Sequence, residues 1–171
     1  MGNFAVQLFV VMGVSGCGKT TVARALAQRT GGVFLDADDF HPQANKVKMA
    51  SGIPLTDEDR WGWLDALNIE FRKLSETSAP VFLACSALRE AYRQRLRHGL
   101  PELTLIYLKG SRECIENRLS NRSGHFMDPR LLDSQLATLE EPGSAITAAI
   151  NKPMPELVEE IAQKIGGMRH N

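Results

Sequence analysis

Apolar positions along this chain alternate between short unbroken runs and stretches where they recur every three or four residues. Leu8–Met12 is an unbroken run halted by Gly13, the pattern of a strand covered on both faces of a parallel sheet. Over 19–29 the apolar residues Val22, Ala23, Leu26 and Ala27 take helical spacing, until Gly31 and Gly32 break it. Residues 33–35 predict a second strand that ends in the acidic cluster Asp36, Asp38, Asp39. Thr56 then offers a capping hydroxyl three residues before Asp59, which predicts a helix with Leu64, Leu67, Phe71 and Leu74 as its buried stripe. Residues 81–85 predict a third strand, 87–97 a charged helix, 103–108 a fourth strand and 112–122 the helix behind it. A weak fifth strand at 145–150 and a helix at 155–165, with Pro in its first turn, close the pattern. The polar, Gly- and Pro-punctuated stretch 41–55 reads either as a surface loop or as an insertion that covers a substrate.

Strand and helix in alternation predict an α/β fold of three layers, a parallel sheet of about five strands with helices on both faces. Ligands in such folds bind outside the carboxyl ends of the strands. The length of 171 residues suits one domain with a self-sufficient core. Charge narrows the choice of partner, because 20 Lys+Arg balance 20 Asp+Glu, which argues against general polyanion or nucleic-acid binding. The three cysteines, Cys17, Cys85 and Cys114, are widely spaced and read as free thiols in a reducing compartment. The N-terminal apolar run is far shorter than the ~20 residues of a membrane span, and it lacks a basic leader or cleavage site. The expectation is a cytoplasmic protein that does not associate with membranes.

The chemistry begins where the first strand stops. Gly13-Val14-Ser15-Gly16-Cys17-Gly18-Lys19-Thr20 fits G-x-x-x-x-G-K-[ST] between a predicted strand and a predicted helix, with Thr21 carrying the helix onward. Glycines let successive backbone N–H groups converge on phosphate oxygens at the positive end of the helix. Lys19 would reach the β- and γ-phosphates of ATP, and Thr20 would offer its hydroxyl to Mg²⁺. A turn that merely caps a helix accounts for Gly18 but not for a cation at the helix start, where the dipole opposes it. The dinucleotide fingerprint fails because Thr21 stands at its last glycine position.

A phosphate cradle does not by itself distinguish a kinase from a switch or a motor. After the second strand, Asp36 and Asp38 are two apart in what reads as extended chain, so both would point to one side and face the γ-phosphate. One would hold Mg²⁺ through water while the other accepts the proton of an attacking hydroxyl; a solvated acidic turn is the competing account. The third strand ends in Cys85-Ser86, without the metal-binding Asp usual in motors and switches. Arg118 and Arg122 lie four apart on one helix face that leads into a Gly-containing stretch, an arrangement suited to a small lid at about 118–130. Two solvated arginines fit the same spacing.

These residues, together with blocks farther along the chain, resemble the gluconokinases, small P-loop sugar-acid kinases akin in fold to shikimate and adenylate kinases. The blocks are 34–42, 48–55, Asp57-Glu58-Asp59-Arg60, 85–89, Tyr92-Arg93 and Gly124-His125-Phe126-Met127, so the likeness runs in order over 8–142. The resemblance implies ATP-dependent phosphorylation of D-gluconate at its 6-hydroxyl, with a substrate-side insertion at about 40–75 and a homodimeric assembly. Carried over by position, Asp38 resembles the carboxylate that orients the hydroxyl and Asp36 the one nearer Mg²⁺. His41, Arg60 and Arg89 become candidates for holding the polyol and its carboxylate, and His125 resembles a lid histidine. Arg suits a carboxylate because its planar fork can bind both oxygens. A kinase for another hydroxy acid shares the D-x-D after the second strand, and a nucleotide-binding regulator without turnover shares the cradle.

Overall fold

Leu8–Met12 (β1) is buried along its whole length, and its side chains alternate between two cores as the period of a strand requires. Phe9 and Val11 enter one apolar cluster, whereas Leu8, Val10 and Met12 enter the other. A strand apolar on both faces must be sandwiched, and the computed structural model, which describes residues 7–100, 102–121 and 129–168, shows that arrangement. β1 pairs in parallel with Val81–Ala84 (β3) on one side and with Leu103–Lys109 (β4) on the other. Val33–Asp36 (β2) and Ile146–Ala149 (β5) complete a five-stranded sheet of order β2-β3-β1-β4-β5, with every pair parallel.

Helices cover both faces. Lys19–Thr30 (α1) contributes Val22, Ala23, Leu26 and Ala27 to the first cluster, the residues expected from their spacing. Ile115 of Arg112–Ser120 (α5), Leu132 of Pro129–Thr138 (α6) and Leu157 and Ile161 of Met154–Met168 (α7) join them there. On the opposite face Asp57–Leu74 (α3) supplies Trp63, Leu64, Leu67 and Phe71, and Glu90–Arg97 (α4) supplies Tyr92 and Leu96. Each of the larger aliphatic and Phe side chains among them contributes about 1.5–3 kcal/mol by leaving water. Thr56 caps α3 as expected, in a reciprocal box: its hydroxyl accepts from Asp59 N–H, and the Asp59 carboxylate accepts from Thr56 N–H.

Three local expectations are corrected. The stretch 41–55 is not loop throughout, because it contains Gln43–Ala50 (α2). That helix buries a polar residue rather than an apolar stripe: Asn45 is 3% exposed and Val47 54% exposed. The helix expected from 87 starts only at Glu90, since Ala87 adopts a left-handed backbone (φ 44°) and breaks the helical run. The helix expected over 112–122 stops at Ser120, where Asn121 N–H caps back onto Asn117 and Leu119.

Candidate functional site

The loop between β1 and α1 is shaped by positions that refuse a side chain. Gly13 has φ 147°, and a Cβ there would meet Cys17 Sγ at 2.7 Å and the Leu108 carbonyl at 3.0 Å. Gly18, at φ 99°, is the N-cap of α1. Gly13 N–H donates to the Ser86 carbonyl at 3.3 Å, which ties the loop to the end of β3. The Lys19 ammonium lies across the loop on the Val14 carbonyl at 3.2 Å, within the same curl as the backbone N–H groups. Cys17 is fully buried beneath it, and desolvation raises its thiol pKa against the pull of Lys19, so it acts as packing rather than as a nucleophile.

Thr20, in the first turn of α1, donates its hydroxyl to Asp36 Oδ2 at 3.0 Å. The second carboxylate oxygen of Asp36 accepts from Asp38 N–H at 3.0 Å. The two acids are therefore not side by side on extended chain, as their spacing had suggested. Asp36 ends β2 and caps the 3-10 turn Ala37–Phe40, and this turn carries Asp38 toward the cavity. Trp63 of α3 fixes the turn by donating its indole N–H to the Ala37 carbonyl at 2.7 Å. Partial desolvation at the cavity wall, reinforced by the neighbouring charge of Asp36, pushes the Asp38 carboxyl above the usual range, while Lys19 pulls the other way.

Thr20, Asp36 and Asp38 border one cavity of about 790 Å³ with Lys19, His41 and Arg60. His41 is buried, stacks on Trp63 with ring centroids 4.1 Å apart, and has its Nδ1 3.3 Å from Asn45 Nδ2. Burial, with the positive charges of Arg60 and Lys46, lowers its pKa to about 4. The ring is accordingly neutral at pH 7; with Nδ1 assigned as acceptor from Asn45, Nε2–H is left as a donor. Arg60 donates to the Leu55 carbonyl and to Tyr92 Oη at 3.3 Å, with its guanidinium 5.2 Å from the Tyr92 ring centroid.

Arg89 is placed differently. It is the N-cap of α4 and pairs with Asp57 at 3.1 Å, and the Tyr92 hydroxyl donates to the same carboxylate. It is not part of the cavity lining, and its guanidinium lies 6.0 Å from the Tyr92 ring centroid. Arg118, on the last turn of α5, donates to the Ile150 carbonyl and, at 3.4 Å, to that of Lys152. It borders a second cavity of about 570 Å³ together with Asn117, Asn151 and Lys152. A Cβ on Gly18 would come within 3.4 Å of its guanidinium, so this second cavity adjoins the phosphate loop at its α1 end. Arg122 and His125 lie outside the described residues.

The sequence reading missed Gln135. Ser15 N–H donates to Gln135 Oε1 at 2.7 Å, and Gln135 Nε2 donates to Ser15 Oγ at 2.9 Å. Leu131, Ser134, Gln135 and Thr138 form one face of α6 and line the larger cavity. The helical spacing of Leu132, Leu136 and Leu139 was the available signal for this element.

The donor set is one of hard oxygens, a hydroxyl and a carboxylate in contact at the mouth of a phosphate loop. That set fits Mg²⁺, which takes few protein ligands and keeps waters and phosphate oxygens for the rest of its shell. Among the described residues no group of three or more His, Cys, Asp or Glu is arranged to hold a metal unaided. No helix there is long and apolar enough to cross a membrane.

Comparison with known proteins agrees with this geometry. Residues 8–142 match the family model described as an AAA domain. The chain is 43% identical over 167 residues to the thermoresistant gluconokinase of Escherichia coli (strain K12), covering 95% of each. A sugar kinase from Janibacter sp. HTCC2649, solved unliganded, superposes with a TM-score of 0.87 at 43% identity, over 94% of this chain and 95% of that one. A gluconokinase from Sinorhizobium meliloti 1021 superposes with a TM-score of 0.83 at 38% identity, over 96% and 98%.

Proposed function

The chain belongs to the gluconokinase family, and from that premise we propose that it transfers the terminal phosphoryl group of ATP to the 6-hydroxyl of D-gluconate, releasing 6-phospho-D-gluconate and ADP. The observation that carries this reading is the hydrogen-bonded series from Thr20 through Asp36 to Asp38, which joins a phosphate loop to a carboxylate inside one cavity. Phosphoryl transfer asks a protein chiefly for positioning and charge stabilisation, and both ends of the series supply them.

In this reading the loop of 13–21 binds the phosphates through its backbone N–H groups, that of Gly13 staying on the Ser86 carbonyl, and through the Lys19 ammonium, which exchanges the Val14 carbonyl for a phosphate oxygen. Thr20 and Asp36 would hold Mg²⁺, which would supply positive charge to neutralise the phosphates. Asp38 orients the 6-hydroxyl and accepts its proton as the O–P bond forms. Neutral His41 donates from Nε2 to the polyol, and Arg60 pairs with the gluconate carboxylate. Arg89 acts one layer out, holding Asp57 and Tyr92 where they support Arg60. Arg118 belongs to the nucleotide side, where the smaller cavity would take the adenine. Arg122 is assigned to the migrating phosphate and His125 to the acceptor, on the resemblance of their motif alone. A cytoplasmic homodimer completes the reading, supported by the same likeness, and sedimentation of the purified protein checks the assembly.

The deciding experiment incubates the protein with Mg-ATP and, separately, gluconate, other sugar acids, shikimate and nucleoside monophosphates. Gluconate-dependent ADP release above every other acceptor is expected. ADP release with shikimate alone, or with no acceptor in the panel, would defeat the proposal.

A further inference from the structure

Ser15 is the third residue of the phosphate loop and lines the larger cavity together with Lys19 and Asp38. Its N–H is one of the donors the loop presents to an anionic oxygen. Here that N–H is already taken, at 2.7 Å, by the amide oxygen of Gln135, and the amide nitrogen of the same residue donates at 2.9 Å to Ser15 Oγ. The two residues are 120 positions apart, so the contact comes from the fold and not from local chain geometry. A neutral carbonyl oxygen therefore holds a donor that the loop would otherwise turn to a phosphate oxygen.

The helix presenting Gln135 is firmly seated. Leu132 is 2% exposed in the first core cluster, with Leu136 and Leu139 packed beside it. Just beyond the helix, Glu140 N–H donates to the Leu88 carbonyl at 2.8 Å and the Glu140 carboxylate accepts from Glu90 N–H at 2.7 Å. Gln135 itself is only half-buried and faces the cavity, so the amide can leave Ser15 by turning its own side chain.

We propose that Gln135 is a specificity residue that separates nucleoside triphosphate from diphosphate: its amide competes with a γ-phosphate oxygen for the Ser15 N–H, so that ATP must displace it and ADP need not. The inference rests on the reading of the loop as an ATP site but not on the identity of the acceptor. After transfer the amide returns to Ser15, so the diphosphate-bound loop keeps no unsatisfied donor at its vacant end. The device lowers affinity for ATP without lowering affinity for ADP.

The test measures nucleotide binding without any acceptor, by calorimetry with Mg²⁺ and either ADP or the β,γ-imido analogue of ATP, so it stands whether or not gluconate is the substrate. Gln135→Met removes both hydrogen bonds at similar volume. It is expected to tighten the triphosphate analogue about threefold to tenfold, the scale of one net neutral hydrogen bond, and to leave ADP within about twofold. Gln135→Glu keeps the acceptor for Ser15 N–H but adds a negative charge at the γ end; it is expected to weaken the analogue at least tenfold and ADP no more than about threefold. Thermal melting of both variants checks that each is folded, and one folded variant suffices. Equal shifts for the two nucleotides, or no shift in either, would overturn the proposal in favour of a purely structural contact. Weaker triphosphate binding by Gln135→Met would overturn it in favour of a direct phosphate ligand.

Discussion

Asp38 and His41 lie three residues apart and are tuned in opposite ways. Asp38 sits at the wall of the cavity with Asp36 beside it, and desolvation together with that charge raises its affinity for a proton, which suits the proton-accepting role proposed for it. Replacing it with Asn keeps the shape and the hydrogen-bonding reach but removes the base. Asp38→Asn is expected to lower kcat at least ~100-fold with ATP affinity nearly unchanged, read from steady-state kinetics beside calorimetric ATP binding. A parallel loss of ATP affinity would show that Asp38 serves the nucleotide rather than the acceptor. His41 is held neutral by burial and by Arg60 and Lys46, with its folded pKa lowered to about 4. The unfolded chain takes up this proton near pH 6.5 and the folded chain does not. Stability is therefore lost as pH falls from about 6.5 to 4, by up to ~3 kcal/mol, and no further below that window. Urea denaturation of wild type and His41→Gln across that range is expected to show a shallower decline in the variant.

Among the elements, α3 and α2 contrast in what their residues announce. The start of α3 is written locally: Thr56, the acids after it and the stripe Leu64, Leu67, Phe71 all serve the same helix, and the structure shows the cap and the stripe in place. Thr56→Ala is expected to cost about 1 kcal/mol in denaturant unfolding, with the substrate-side residues unaltered. The strands were legible for the same reason, since a run apolar on both faces has few alternatives. α2 was not legible, because its hold on the molecule is polar and non-local. Asn45 donates to the Asp59 carbonyl at 2.7 Å and Lys48 binds the Asp59 carboxylate at 2.7 Å, contacts that exist only once α3 is present. The Lys48 ammonium, with the Thr56 cap, holds the Asp59 carboxyl down at about 2. Asn45→Ala is expected to destabilise the fold by about 1–3 kcal/mol, by leaving the Asp59 carbonyl and His41 Nδ1 without their donor, and to raise the KM for gluconate more than that for ATP. The site shows the same division. Lys19, Thr20 and the paired acids could be named from a motif and a strand end, whereas Gln135 reaches Ser15 only through tertiary packing of α6.

At the scale of the whole molecule, the order of strands in the sheet sets how donor and acceptor meet. β1 delivers the phosphate loop and β2 delivers the acids, yet β3 lies between them, so the loop and the acids face each other across the end of β3. Gly13 N–H ties the loop to the Ser86 carbonyl just after β3, and the Thr20 hydroxyl on Asp36 spans the gap itself. An ion held by Thr20 and Asp36 would therefore link two strands that do not pair with each other, and its binding would stabilise the fold as well as the nucleotide. Ligand stabilisation follows mass action, and a nucleotide present at 100 times its Kd adds ~2.7 kcal/mol. For a domain of this size that is a rise in Tm of roughly 5–10 °C. With Mg-ATP at that level a rise of about this size is expected, and chelation of Mg²⁺ by excess EDTA at the same ATP concentration should cut it by more than half. Thr20→Val removes the hydroxyl that bridges to Asp36 without changing the size of the side chain, so its ATP-dependent rise should be small and indifferent to EDTA. An undiminished, EDTA-sensitive rise in Thr20→Val would move the metal away from the β1–β2 junction and leave the Thr20–Asp36 contact as a purely structural bond.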